Sequence, residues 1–277
     1  MSSKKVLVCI DDSSYCKAAC EYGVYISKLH NLPLVLLNVV DHLHISKKVD
    51  LSGNIGFGSK ETLLEQLSLE EQEESKKLIS KGRTLLKTFS EYAKEKGVEN
   101  LFSLQRHGSF EENLEDLEKE TFIAIIGFDK NSKNLEDIIR TLTLPILLVN
   151  SEFSPIKSIL MAYDGSDYAN KAINEATKEP IFPNITRHIV NINKDKQSSQ
   201  KLLNEAKNLF AKADFEVHTS SLEGDNKVEE ILNYQKNNSL DIVAMGAYSH
   251  NRLKSVLFGS FTSKMLEKAE KPLLLFR

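Results

Sequence analysis

Hydrophobic residues in this chain gather in short continuous runs and do not alternate with polar ones. The runs form four pairs, with one member in each half of the chain: Lys5–Ser13 with Lys157–Ser166, Leu34–Val39 with Arg187–Ile192, Phe122–Gly127 with Leu240–Gly246, and Leu144–Val149 with Lys271–Phe276. Unbroken apolar runs of this length are typical of strands that are buried on both faces of a sheet. The pattern therefore predicts a sheet covered by helices on both sides.

Helical periodicity separates these predicted strands. The predicted helices are Ser14–His30, Leu63–Lys96, Phe110–Glu120, Lys227–Asn237 and Phe261–Lys268. Alternating strands and helices indicate βαβ units, parallel strands and right-handed crossovers. Each half is expected to form an open α/β layer of about five strands.

The two halves share one frame but differ in length at two places. Asp11 and Asp164 are 153 positions apart, Gly127 and Gly246 are 119 apart, and the prolines that precede the last strands are 127 apart. The first half therefore holds 34 extra residues (153 − 119), and the second half holds 8 (127 − 119). We predict domains at 1–150 and 155–277, joined by the polar linker Ser151–Pro155.

The extra residues of the first half begin near Asp41 and form an insertion over about 41–80. A glycine-containing segment, Asp50–Ser59, precedes a Glu-rich helix, and its glycines do not follow the G-x-G-x-x-G spacing of a dinucleotide loop. It is either a flap or docking loop, or a flexible surface turn. One apolar stripe is expected on the helix, through Leu63, Leu64, Leu67, Leu78, Leu85 and Phe89.

Composition and charge narrow the class of protein. With 277 residues, 36 Lys+Arg, 39 Asp+Glu and a net charge of −3, the chain has no basic field for nucleic acid. No apolar run approaches the roughly 20 residues that cross a bilayer, and Val6–Ile10 is too short for a signal-peptide core. A cytoplasmic protein that binds neither membrane nor nucleic acid is expected.

Three cysteines, Cys9, Cys16 and Cys20, lie within the first 20 residues. Cys16 and Cys20 would share one helix face and could form half of a metal site or a redox pair. The alternative is that they are small buried residues, since no histidine or acid sits beside them at ligand spacing. An odd number of cysteines argues against a disulfide framework.

The extra residues of the second half place candidate chemistry between Met245 and Thr262. Gly246 closes a strand, and Gly259-Ser260 precedes a helix whose N-terminal N–H groups could meet phosphate oxygens. In open α/β sheets, ligands bind outside the carboxyl ends of the strands. His250 and Arg252 could neutralise phosphate charge, although each could equally be an exposed polar residue.

These residues resemble the universal stress protein family. Its nucleotide-binding branch carries G-x-x-G, nine residues and then G-[ST], and this chain has Gly246-x-x-Ser249, nine residues and Gly259-Ser260. The one departure is Ser249, where the family pattern has glycine. The resemblance extends to Ala162–Ser166, Glu223–Asp225 and Lys271–Leu275 and covers 155–277 almost entirely. The whole chain resembles the tandem form of the family.

The resemblance implies a fold, a ligand and the roles of particular residues. The implied fold is two tandem doubly wound parallel-sheet domains, Rossmann-like and of the adenine nucleotide alpha hydrolase-like type. The implied ligand is ATP, with Mg²⁺ able to accompany it; Asp164 would contact the adenosine, and Ile192 would pack on the base. Gly246, Gly259 and Ser260 would hold the phosphates. The full candidate set is Ala162, Tyr163, Asp164, Ile192, Met245, Gly246, Ser249, His250, Arg252, Gly259, Ser260, Phe261 and Thr262.

The first half lacks the corresponding loop. It has Asp12 where the second half has Gly165, and Phe128-Asp129 follows Gly127 with no Gly-Ser pair downstream. Asp129 would repel phosphate oxygens. The first half is therefore predicted not to bind ATP in the same way and to have a structural or regulatory role.

Three functions remain open from sequence. The first is an ATP-binding stress or signalling module with one nucleotide in the second half. The second is a nucleotide-free scaffold with an unknown protein partner, in which Pro145–Asn150 and Pro272–Arg277 pair across a pseudo-two-fold axis; a further homodimer is also possible. The third is a slow ATPase using Asp164 and Asp225, although the chain has no P-loop and no Cys/His nucleophile arrangement.

Overall fold

A computed structural model describes residues 4–40, 57–129, 135–246 and 260–276. The strands are β1 Lys5–Cys9, β2 Leu34–Val40, β3 Leu101–His107, β4 Thr121–Gly127, β5 Ile146–Val149, β6 Ser158–Ala162, β7 Thr186–Ile192, β8 His218–Leu222, β9 Ile242–Gly246 and β10 Leu273–Phe276. The helices are α1 Cys16–His30, α2 Phe57–Glu95, α3 Phe110–Glu118, α4 Leu135–Thr141, α5 Asp167–Lys178, α6 Lys196–Ala211, α7 Lys227–Asn237 and α8 Ser260–Lys268.

The ten strands form one continuous sheet in the order β3-β2-β1-β4-β5-β10-β9-β6-β7-β8. Strands within each half run parallel, and β5 pairs with β10 in the antiparallel sense. In this central pair Leu148 lies opposite Leu273, and Ile146 lies opposite Leu275. The predicted pairing of the two C-terminal strands is thus observed, and it relates the halves by a pseudo-two-fold axis between β5 and β10.

Each half is a doubly wound α/β layer of five parallel strands, which confirms the predicted fold class. The order β3-β2-β1-β4-β5 in the first half recurs as β8-β7-β6-β9-β10 in the second. The outer strands β3 and β8 were not among the predicted apolar runs, because they are edge strands with many half-exposed or exposed residues. Such strands do not need continuous apolar sequence.

Helix boundaries agree with the predictions at several ends and differ at others. Lys227–Asn237 is α7 as predicted, whereas α1 begins at Cys16, two residues after the predicted Ser14. The predicted loop Asp50–Ser59 is shorter than expected, since α2 already begins at Phe57. Residues 41–56, including Gly53 and Gly56 of the predicted insertion, lie outside the described residues.

Two apolar cores cover the two faces of the sheet. Alternation along β1 shows the division, because Val6 and Val8 belong to one core whereas Leu7 and Cys9 belong to the other. Fully burying a leucine or isoleucine side chain contributes about 1.5–3 kcal/mol. Both cores run across β5 and β10, so the halves are joined by packing as well as by backbone hydrogen bonds.

The three cysteines are free and buried. Burial raises the pKa of Cys16 and of Cys20 to about 12, and it raises the pKa of Cys9 well above its usual value. Because thiolates are the reactive and metal-binding form, these thiols are expected to be inert. Their arrangement matches the expectation of small buried residues.

None of the helices in the described part of the chain is long and apolar enough to cross a membrane.

A polar cluster distinguishes the outer strands of the second half from those of the first. His188 on β7 and His218 on β8 are register partners, with ring centroids 4.8 Å apart. The Nδ1 atom of His188 lies 3.1 Å from the hydroxyl of Tyr234 on α7. The equivalent register pair in the first half is Val35 and Phe102.

His188 is expected to make stability depend on pH. Burial, and to a smaller extent the neighbouring His218, lowers the pKa of His188. The folded chain therefore holds the neutral ring, and below about pH 6.5 the unfolded chain takes up a proton more readily. The free energy of unfolding should fall between about pH 7.5 and about pH 5.5, and His188→Val should reduce this fall. Urea unfolding across that range checks it; an equal slope in both proteins would contradict it.

Candidate functional site

The carboxyl edge of the second half contains a topological switch point. From β6 the chain moves outward to β7 and β8, and then returns to the other side of β6 to form β9 and β10. The switch therefore lies between the ends of β6 and β9, where Ala162 and Gly246 are the last strand residues. In open α/β sheets, this crevice is where ligands bind.

Asp164 lies just beyond the end of β6 and is exposed at this edge. Its Oδ1 accepts the backbone N–H of Ser166 at 3.0 Å, and Ser166 in turn caps α5 by accepting the N–H of Ala169 at 3.2 Å. Its Oδ2 makes no hydrogen bond or ion pair with the described residues. Gly165 between them has φ +75°, and a Cβ there would lie 2.6 Å from Cδ2 of Leu202. The turn thus fixes Asp164 while leaving one carboxylate oxygen free to accept a hydrogen bond.

Asn191 holds the backbone of the β6 end in place. Its Nδ2 donates to the carbonyl of Tyr163 at 2.7 Å, and both residues are buried. The Oδ1 of Asn191 is buried without a hydrogen-bond partner among the described atoms. The hydroxyl of Tyr163 donates to Asn170 Oδ1 at 2.7 Å, and burial raises the pKa of Tyr163. The Tyr163 side chain therefore faces the core, and its backbone lies at the edge.

Several other candidate residues lie at the edge with side chains directed into the core. Met245 and Thr262 are buried, at 2% and 3% exposure. Ile192 and Phe261 are half-buried and pack against the core on the β9 and α8 face. These four residues can shape the floor of a site, and Ile192 and Phe261 retain surface that a ligand could contact.

Helix α8 begins at Ser260 and leads the chain back to β10. Because β10 starts at the opposite edge, the N-terminus of α8 is at the carboxyl edge, on the β9 side of the switch point. A helix N-terminus there favours an anion. The other loop candidates, Ser249, His250, Arg252 and Gly259, lie outside the described residues, as does the Ser260 side chain.

The first half repeats the same frame in detail. The Nδ2 of Asn38 donates to the carbonyl of Ile10 at 2.8 Å, as Asn191 does to Tyr163. The Oδ1 of Asp11 accepts the N–H of Ser13 at 3.0 Å, as Asp164 does from Ser166. The two sheet edges therefore share the same local hydrogen-bond arrangement.

At the carboxyl edge of the first half, the start of α1 closes the space beside Gly127. A Cβ on Gly127 would lie 2.7 Å from the carbonyl carbon of Tyr15 and 2.9 Å from the amide nitrogen of Cys16. The backbone at the start of α1 thus rests directly on the end of β4, where the equivalent position in the second half is Gly246.

Acidic groups add to this closure. Burial raises the pKa of Asp11, and the charges of Asp12 and Asp129 raise it further, against the lowering effect of the Ser13 hydrogen bonds. Asp12 forms an ion pair with Lys81 of α2, and the resulting hydrogen bond lowers the Asp12 pKa. Asp11 and Asp129 therefore place negative charge near one edge, which opposes the approach of phosphates.

The sequence patterns contained a signal for Asn38 and Asn191 that the candidate set did not include. Each is a polar residue that follows two apolar ones at the same position of its strand, as Leu36-Leu37-Asn38 and Ile189-Val190-Asn191. A buried amide in a strand requires a partner, and here the partner is the backbone that carries the following aspartate. In the first half the Oδ1 of Asn38 is also satisfied, by Gln105 Nε2 at 3.1 Å.

No three His, Cys, Asp or Glu side chains converge as a metal site in the part of the chain that the structure covers. Asp225, a predicted partner of Asp164 in the slow-ATPase hypothesis, forms an ion pair with Lys194 at 2.6 Å and is highly exposed. The described contacts of Asp225 therefore place it in a surface ion pair.

The repeated topology and the two matched sheet edges define a tandem doubly wound α/β protein. The chain belongs to the universal stress protein family, whose model matches residues 2–126 and 186–277. Strand β6 and Asp164 lie between these matched segments. The predicted family and its tandem form are thus confirmed.

Relatives support the family assignment over the full length. A universal stress protein of Synechocystis is 30% identical over 99% of this chain and 100% of its own length. The crystal structure of a universal stress protein from Archaeoglobus fulgidus is 15% identical, with a TM-score of 0.73 and coverage of 99% of this chain and 97% of that one. A putative universal stress protein from Pseudomonas aeruginosa, also 15% identical, has a TM-score of 0.59 and coverage of 99% and 93%. These structures are similar in fold.

Proposed function

We propose that this protein is a cytoplasmic ATP-binding stress-response or signalling protein that holds one nucleotide at the carboxyl edge of its second half. The observation that carries the proposal is the exposed Asp164 carboxylate at the switch point, with one oxygen left free by the Ser166 cap. Gly246 ends the adjacent strand β9, and its spacing to Gly259-Ser260 is that of the family's phosphate-binding loop.

The residues at this edge fit the chemistry of an adenine nucleotide. The free oxygen of Asp164 can accept a hydrogen bond from a ribose hydroxyl or an adenine amine. The half-buried Ile192 offers apolar surface at the neighbouring strand end. The N-terminus of α8 supplies N–H groups and a favourable dipole for phosphate oxygens. We propose that Gly246, Gly259 and Ser260 hold the phosphates, with Ser249, His250 and Arg252 beside them.

We propose that the domain boundaries are 1–150 and 155–277, and that the first half does not bind nucleotide. The second of these proposals is supported by the backbone of Tyr15, which packs on Gly127, and by the acidic groups at that edge. The role left to the first half is structural or regulatory. Through β5 and the two shared cores it stabilises the half that carries the candidate site.

ATP with Mg²⁺ is expected to raise the melting temperature of the full chain, because a ligand that binds only the folded state stabilises it. Ser260→Asp should abolish the shift, since it places a carboxylate where phosphates bind, while an acid at a helix N-terminus preserves α8. Differential scanning fluorimetry with ATP, ADP and GTP, and equilibrium dialysis with labelled ATP, check the expectation.

Asn226→Asp is the matched control, because it adds one negative charge at the N-terminus of α7 and retains its cap. It should leave the ATP-dependent shift intact. An absent shift in the unmodified protein, together with no nucleotide retained in dialysis, would overturn the proposal and favour the nucleotide-free scaffold. Release of phosphate at a rate abolished by Ser260→Asp would instead identify a slow ATPase at the same site.

A further inference from the structure

A cavity lies between the two halves, on the face of the sheet that α5 covers, and none of the candidate nucleotide residues lines it. Its volume is about 450 Å³, and it is bounded by α5, the ends of β6 and β10, and the segment that follows α5. The floor is apolar, formed by side chains that include Phe122, Leu144, Met161, Ile181 and Leu274. A volume of this size is within the range of small-molecule sites.

The pseudo-two-fold axis relates this cavity to a groove that the chain itself fills. Beside α1, the linker places Phe153 edge-on against Tyr22, with ring centroids 4.8 Å apart. The carbonyl of Ser154 accepts the Tyr22 hydroxyl at 3.1 Å, and Ile156 joins the same core. The position equivalent to Tyr22 on α5 is Glu175, which lines the open cavity. One groove thus holds an apolar side chain of the linker, whereas the other is open.

Arg187 places an uncompensated positive charge at this cavity. Its side chain lines the cavity and is 6% exposed. The guanidinium donates to the carbonyls of Ile185, Phe182 and Pro183 at 2.6–3.0 Å and stacks on Phe215 at 4.2 Å. Within the described part of the chain, no carboxylate forms an ion pair with it. A buried cation without a counter-ion is costly, so an anion in the cavity would be favoured.

The charged side chains at the mouth are partly paired. Lys4 pairs with Glu179 at 3.6 Å, and Glu118 accepts the N–H of Thr143 at 2.8 Å. Lys119 and Lys171 form no ion pair with the residues that the structure describes, and neither does Glu175. The three lysines and three glutamates at the mouth balance, so Arg187 leaves the cavity lining with one net positive charge.

We propose that this cavity binds a small monocarboxylate with an apolar alkyl or aromatic body. The apolar body would lie on the floor, as Phe153 does in the related groove, and the carboxylate would supply the counter-ion that Arg187 lacks. The cavity is lined by residues other than Asp164, Gly246 and the remaining candidate nucleotide residues, so the two sites can be tested separately.

Octanoate and octan-1-ol are matched probes, because they share the alkyl chain and differ in charge. The chain contains four methionines, of which Met161 lines the cavity, while Met245 and Met265 belong to the opposite core. In methyl NMR of the labelled full chain, octanoate should shift Met161 and leave Met265 unchanged. Isothermal titration should show octanoate binding about tenfold or more tighter than octan-1-ol, the difference expected of one charge-assisted interaction.

Two variants separate loss of binding from loss of folding. Ala176→Phe fills the cavity from α5 and should abolish both the Met161 shift and the heat of binding. Lys171→Glu should weaken the binding of octanoate by a few-fold and leave the binding of octan-1-ol unchanged. Lys178 is exposed on the same helix and does not line the cavity, so Lys178→Glu should change the binding of neither probe. Circular dichroism confirms that each variant is folded.

Three outcomes would overturn the proposal. The first is equal binding of octanoate and octan-1-ol, and the second is an octanoate titration that Ala176→Phe does not change. The third is a Met161 shift caused by a peptide of residues 151–157 but not by octanoate, which would assign the cavity to a protein segment instead.

Discussion

Gly127→Ala is expected to lower the free energy of unfolding by about 2–4 kcal/mol. The added Cβ would lie 2.7 Å from the carbonyl carbon and 2.8 Å from the carbonyl oxygen of Tyr15. These are backbone atoms at the start of α1, so no rotamer change can relieve the overlap. Either α1 or the end of β4 must move, and both are packed into the cores of the first half.

Gly224→Ala is the matched control for this substitution. There the added Cβ would meet only side-chain atoms, 2.4 Å from Oε1 and 2.6 Å from Cγ of Glu230, and this half-exposed side chain can move by a change of rotamer. The expected change is within about 0.5 kcal/mol. Urea unfolding followed by circular dichroism measures both variants. A cost at Gly127 no greater than at Gly224 would mean that the first-half edge is not closed by Tyr15.

The strands that form the centre of the sheet could be predicted because burial on both faces leaves an unbroken apolar run. β1, β4, β6 and β9 are of this kind, and so is the β5–β10 pair that joins the halves. The edge strands β3 and β8 leave no such run, because one side of each strand has no neighbouring strand and many of their side chains meet solvent.

The closure of the first-half edge could be predicted only in part. The sequence shows the missing Gly-Ser pair and the added Asp129, and both predict weaker phosphate binding. The contact with Gly127 involves Tyr15, the residue just before α1, and Cys16, its first residue, so it depends on where the helix begins. Helix starts are set by local turn geometry, which the periodicity of the helix does not determine.

For the candidate nucleotide residues too, some features could be predicted from the sequence and others could not. Asp164 and Gly246 could be placed at one edge from strand order and from the rule for switch points. The inward direction of Tyr163 and Thr262 could not, because it depends on the partners that their side chains find in the fold. Tyr163 faces Asn170 across the turn that Gly165 makes possible, and Thr262 is a buried residue of the first turn of α8.

Asp164→Asn is expected to weaken ATP binding by about tenfold or more, while Asp11→Asn leaves it unchanged. Asparagine keeps an oxygen for the Ser166 N–H, so the turn and the α5 cap are preserved. What is lost is the charged acceptor, and a hydrogen bond to a charged group contributes about 1.5–3 kcal/mol, where each 1.4 kcal/mol is a factor of ten. Isothermal titration of the full chain with ATP measures the affinity of each variant.

Asp11 is the appropriate control because it occupies the same position of the repeated frame, at the edge that Tyr15 closes. Its pKa is raised, chiefly by burial, so the ionised form is less favourable in the folded chain than in the unfolded one. Asp11→Asn removes that charge and should not destabilise the protein near neutral pH. Equal losses of ATP affinity from both substitutions would place nucleotide in both halves, and no loss from either would remove the aspartate from the site. Only the asymmetric result agrees with a protein in which one copy of the frame binds nucleotide and the other supports it.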